Sequence, residues 1–234
     1  MPLYQEPAEL PGDFAGIVRL FPLPNLVVFP HVVQALHIFE PRYRAMLEDA
    51  LAGDQLISMA LLQPNWESKY EGRPPIDPVT CIGRVVAHAR LEDGRYNILL
   101  HGLRRATIVR EFPPEHAFRI AEVAVLDDLY PAGGAVQRSQ IQRDLLQTFQ
   151  KLLPESAANR DQFEQLFNQQ LPLGVLTDVV AYTFPFDVEF KRQMLAENNV
   201  DLRAQQLLGR LQVLAKQPVA ERGTPPFPPD FSKN

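Results

Sequence analysis

The sequence predicts an α+β chain in which a β-rich part precedes a helical one. Three observations carry this reading. Strand-length apolar runs bounded by turn residues fill the chain to about residue 126, and an Asp93-Gly94 pair stands between two of them. Beyond the Gly133-Gly134 pair the apolar residues switch to helical spacing. A length of 234 residues with 46% hydrophobic content and 14 phenylalanines can bury a sizeable core, as one large or two small domains. The 22 prolines are about twice the usual frequency, but they cluster at segment ends, where a fixed φ and a missing N–H stop regular structure.

After an irregular leader over 1–15, residues 17–21 and 26–29 read as short strands separated by Pro22, Pro24 and Asn25, and 32–37 as another. Pro41 at a first-turn position, Gly53 as a stop, and a stripe of Tyr43, Met46, Leu47, Ala50 and Leu51 define a helix. Residues 55–62 form a mostly apolar strand that buries Ser58. Asp93-Gly94 turns a hairpin between 85–91 and 95–100, because glycine supplies the positive φ that a tight turn needs. Gly102 is expected to break or bulge the second arm, with further strands over 106–112 and 118–126.

From Ile141, Leu145, Phe149 and Leu152 onward the spacing is helical, continuing through Phe163, Leu166 and Phe167, then Val175, Leu176, Val179, Val180 and Tyr182. Two more helices follow, for which Asp187 and Asp201 are the expected N-caps. The expected division is an irregular leader over 1–15, a β-rich subdomain over 16–130, a helical subdomain over 131–217 and a proline-rich tail over 218–234.

Twenty-three basic against 28 acidic residues, a net charge of −5, disfavour general polyanion binding. Cys81, the single cysteine, has no internal disulfide partner, and the start of the chain lacks the basic and apolar runs of a secretory signal, so a cytoplasmic location is expected. No apolar stretch approaches the ~20 residues that cross a bilayer, and no membrane partner is expected.

Two blocks are specific enough to carry a family resemblance. Leu20-Phe-Pro-Leu-Pro-Asn-Leu-Val-Val-Phe-Pro-His31 with Leu36-His-Ile-Phe-Glu-Pro-Arg-Tyr-Arg-Ala-Met-Leu47 is one, and Asp93-Gly-Arg-Tyr-Asn-Ile-Leu-Leu-His-Gly-Leu-Arg-Arg105 is the other. Both resemble the Lon N-terminal domain family, and helical segments around Asp178 and Leu202 extend the likeness over roughly 16–214. The resemblance implies a PUA-like twisted β-barrel followed by an α-helical bundle. It also implies recognition of unfolded or damaged polypeptides, with a separate protease or chaperone as partner. The chain has no G-x-x-x-x-G-K-[ST] phosphate loop, and none of its five serines lies in a Ser-Lys protease motif, so a non-catalytic protein without cofactor is expected.

The residues support few chemical alternatives. In a tight hairpin residue 88 faces 99, which makes His88 and His101 diagonal neighbours; with no third ligand at helpful spacing, no metal site is expected. No nucleophile has an identifiable base, and the adjacent acids Glu48-Asp49 and Asp127-Asp128 read as solvated charge. Residues 81–120 carry seven arginines against four acids, which makes RNA the alternative partner, with Arg104 and Arg105 as phosphate contacts. For polypeptides, the proline-bounded connection over 63–78 offers Trp66, Tyr70 and Ile76 as a contact patch.

Overall fold

The computed structural model describes residues 9–69, 72–152 and 171–217. The chain divides between Leu126 and Asp127 into two compact units. The tail expected over 218–234 and the helical spacing read at Phe163, Leu166 and Phe167 fall outside the described residues.

The first unit holds strands β1 (Ile17–Leu23), β2 (Val33–Ile38), β3 (Leu56–Leu62), β4 (Ile76–Arg90), β5 (Tyr96–Glu111) and β6 (Arg119–Leu126), and helix α1 (Pro41–Ala52). The strands form one twisted sheet in the order β2-β5-β4-β3-β1-β6. Because β6 pairs with β1 and also with β5, the expected barrel takes the form of a twisted sheet that returns to β5. β1 and β3 run parallel, since β2 and α1 carry the chain back between them.

The inner face collects Val18, Leu20, Leu56, Ile82, Leu103, Ala106, Ala121 and Val123 into one cluster, joined by Phe14 and Ile108. α1 forms as its sequence predicts: Pro41 occupies the first turn, and Tyr43, Met46, Leu47 and Ala50 are buried. The Tyr43 ring lies 4.5 Å from that of Phe21 on β1. Burying each large side chain of this stripe stabilises the unit by about 1.5–3 kcal/mol. Ser58 is buried as expected and shares a hydrogen bond with Thr80 across β3 and β4, at 2.8 Å.

Two strand expectations are corrected, and at Gly102 the bulge forms while the break does not. Pro22 does not end β1, which continues to Leu23; pairing with β6 reaches only Leu20, so the missing N–H falls where the strand has a single neighbour. Residues 26–29 form no strand and cross the unit as buried irregular chain. Gly102 does not break β5. The register instead skips Leu103, a bulge, between Ile82↔Arg104 and Gly83↔Gly102. Gly102 is required because the 24–32 segment docks on it: His31 N–H donates to the Gly102 carbonyl at 2.7 Å, and Gly102 N–H to that of Val32 at 2.9 Å. A Cβ at residue 102 would collide with the Phe29 carbonyl oxygen.

The hairpin turns at Asp93-Gly94, with Gly94 at φ +80°. Its pairing sets His88 opposite Ile98 and Arg84 opposite His101, one residue off the expected register. His88 is exposed while His101 is 1% exposed, so the two are not neighbours.

The second unit holds α2 (Ala135–Leu152), α3 (Leu173–Thr183), α4 (Val188–Ala196) and α5 (Val200–Lys216). Every residue of α3 is buried, which accounts for its nearly continuous apolar sequence. On α2, Leu145 and Phe149 face inward, and Phe149 meets Phe184 at 5.9 Å between ring centroids. Asp187 caps α4 as expected, accepting from the Phe190 N–H at 2.7 Å. Asp201 does not cap α5. Asn199 does, accepting from Asp201 and Leu202, and this frees the Asp201 carboxylate to bind Arg138.

Candidate functional site

The connection between β3 and β4 is an extended loop over 63–75 with a closed neck. Leu62 pairs with Ile76, Gln63 N–H donates to the Pro75 carbonyl at 2.9 Å, and the Gln63 side chain donates to the Ile76 carbonyl at 3.0 Å. Asn65 takes the left-handed conformation at φ +66°, which presents Trp66 just before a 3-10 turn at Glu67–Lys69. Trp66 is half-buried. Tyr70 lies outside the described residues. Ile76 sits at the root of the loop as the first residue of β4, half-buried against the core cluster. Pro78 falls inside β4, where Asp77, Pro78 and Val79 oppose Leu61 alone in a wide irregularity.

Two arginines fix the far end of this loop. Arg119 on β6, 8% exposed, donates to the Pro74 carbonyl at 2.7 Å and forks onto Glu111 through Nε and Nη2. Arg73 reaches in the other direction and donates to the Phe112 carbonyl at 3.0 Å. Between them lies a cavity of about 50 Å³, room for a few water-sized groups. Pro22, Tyr43, Leu62 and Phe118 give it apolar walls, and Arg42, Arg73, His116 and Arg119 also line it. Arg42 pairs with Glu40 at 2.8 Å and lies over the Tyr43 ring.

The arginines over 81–120 do not form one free basic face. Arg95 pairs with Asp93, Arg110 with Glu122 and Arg119 with Glu111. Arg105, expected as a phosphate contact, is 2% exposed, whereas Arg104 is half-buried. Desolvation, with smaller contributions from His31 and Arg84, pushes the His101 imidazole down to about 4, and its Nε2 meets no hydrogen-bond partner among the described residues. Cys81 is buried, and its thiol donates weakly to the Ile82 carbonyl at 3.7 Å. Among the described residues, no group of three or more histidine, cysteine or acidic side chains could hold a metal, and no helix is long and apolar enough to cross a membrane.

Two readings of charge are corrected. Asp128 is not simply solvated: both its oxygens take Arg203, each at 2.9 Å. Glu48 and Asp49 also have partners, since Glu48 accepts the Tyr96 hydroxyl at 3.0 Å and Asp49 holds Arg19. Sequence reading did not assemble the cavity of Arg42, Arg73, His116 and Arg119. Its members come from three separated segments, 42–43, 72–74 and 116–119, and only the Glu40-Pro-Arg42 block carried a local signal.

Residues 17–213 match the family described as the ATP-dependent protease La (LON) substrate-binding domain. The Lon protease of Dictyoglomus thermophilum is 26% identical over 200 residues, which cover 83% of this chain and 24% of that protein. The chain therefore spans about a quarter of the length of such relatives. Among solved structures, the N-terminal domain of Mycobacterium avium complex Lon protease is similar with a TM-score of 0.64 and 19% identity, covering 84% of this chain and 98% of that one. The Lon N-terminal domain protein from Xanthomonas campestris gives 0.56 and 19%, covering 82% and 97%. At these identities the structures establish the fold.

Proposed function

Because the chain belongs to the Lon substrate-binding domain family, we propose that it binds unfolded or damaged polypeptides in the cytoplasm without catalysing a reaction, as an adaptor or holdase for a separate ATP-dependent protease. The observation that carries this reading is the extent of the family match, which runs through both units and reaches into α5. The loop over 63–75 is the proposed contact. Trp66 stands on it and Ile76 at its root, with Tyr70 proposed beside them from the sequence, so a bound chain would lay apolar side chains against a loop whose neck is held by backbone hydrogen bonds. Preformed backbone of this kind lowers the ordering cost of binding an extended partner. The test has two arms: suppression of the aggregation of a chemically unfolded model protein, and co-purification with an ATP-dependent protease or chaperone. Failure of both would reject the reading.

A further inference from the structure

We propose that the cavity beside the 63–75 loop is a carboxylate-binding subsite that takes an acidic group of the bound polypeptide; this rests on the polypeptide-binding reading. Three guanidinium groups line the cavity, those of Arg42, Arg73 and Arg119. Arg42 is matched by Glu40 and Arg119 by Glu111. Arg73 is the exception: its side chain donates to the Phe112 carbonyl, and it has no carboxylate among the described residues. The lining thus carries one positive charge beyond its own acids, with His116 at the exposed rim.

The geometry suits a small, singly charged group. Among the described residues one of the five N–H groups of Arg73 is engaged, by Phe112, and the others of its fork can meet a ligand. Arg42 and Tyr43 belong to the first turn of α1, whose backbone dipole places partial positive charge at the same edge. Arg119 is nearly buried and held by both Glu111 and Pro74, so that wall does not rearrange. A volume of about 50 Å³ accommodates a carboxylate with its first carbons, and Pro22, Leu62 and Phe118 receive the apolar part. An excess of one charge matches a monoanion and leaves a dianionic phosphate under-neutralised. Gly72, Arg73 and Pro74 of the proposed contact loop line the cavity, so the ligand would belong to a chain lying along that loop.

The experiment measures, by calorimetry on the full chain, the affinity of one unfolded apolar peptide in three forms: with a free C-terminal carboxylate, with an amidated C-terminus, and amidated but carrying one internal glutamate. Wild type is compared with Arg73→Gln and Arg73→Lys, with melting recorded for each. The expected result is that the amidated peptide binds about tenfold or more weaker than at least one acidic form. Arg73→Gln should weaken the acidic form by more than the amidated one and so close most of the difference between them, while Arg73→Lys retains part of that difference. Which acidic form shows the gain identifies the source as a chain end or a side chain. Equal affinity for all three forms, or an Arg73→Gln loss that is the same for all, overturns the subsite and leaves polypeptide binding standing. Absence of binding in every form rejects both.

Discussion

Arg203 on α5 forks onto Asp128, with both contacts at 2.9 Å, and its guanidinium is completely buried. The same side chain donates to Thr177 Oγ1 at 2.8 Å and to the Glu197 carbonyl at 2.7 Å, and lies 3.7 Å from the buried Asp178. One residue thus ties the start of the helical unit, α3 and the entry to α5, and saturates the donors that burial would otherwise leave unmatched. The helical segments that carry the weaker part of the family resemblance meet at this cluster.

Replacing Arg203 by alanine leaves Asp128 and Asp178 without their buried cation and should lower stability by about 3–5 kcal/mol. Lysine should restore little, because a single ammonium cannot supply the fork. Denaturant unfolding followed by helical circular dichroism measures both; near-native stability of the alanine variant would refute the role.

Gly102→Ala should cost about 3 kcal/mol or more, since the added methyl meets the Phe29 carbonyl and the backbone pair to His31 and Val32 must give way. Gly133→Ala is the control: nothing lies within 4 Å of its Cβ, and the change should be neutral or stabilise by up to about 1 kcal/mol. Comparison of the two midpoints in urea decides.

His101 makes stability pH-dependent in a defined window. Its folded-state value of about 4 lies below the ordinary 6.5, so between these values the unfolded chain binds the proton more readily and stability rises with pH. The groups facing it are His31 from the docked 24–32 segment and Arg84 from β4. On acidification the contribution begins to fall near pH 6.5, and about 3 kcal/mol is lost once pH is below 4. His101→Phe should flatten that slope in thermal melts taken from pH 4 to 7.

Trp66→Ala separates contact from support. Its half-burial predicts a stability loss below about 2 kcal/mol, less than the ~3–5 kcal/mol of a core tryptophan, together with weaker polypeptide binding. Tryptophan fluorescence of the wild type should shift on adding an unfolded chain, because Trp66 is the single tryptophan.

Features set by local chemistry were legible in the sequence. Pro41 with the Tyr43 to Ala50 stripe, the Asp93-Gly94 turn and the Asp187 cap all depend on neighbours within a few residues, and each formed as read. Features decided at a distance were not. The strand through Pro22 depends on where β6 stops pairing, the Asp128 partner lies 75 residues away, and the His88 register turns on one residue in the hairpin. The 63–75 loop was legible as a proline-bounded connection, but its adjoining cavity required Arg42, Arg73, His116 and Arg119 to converge from separate elements.

The most direct test is an equilibrium titration of the full chain with a permanently unfolded model polypeptide, read by Trp66 fluorescence and repeated with Trp66→Ala by calorimetry. The account predicts saturable binding that the folded form of the same polypeptide lacks, weakened about tenfold in the variant while its melting shifts only slightly. No binding of the unfolded chain, or equal binding of folded and unfolded forms, would contradict it.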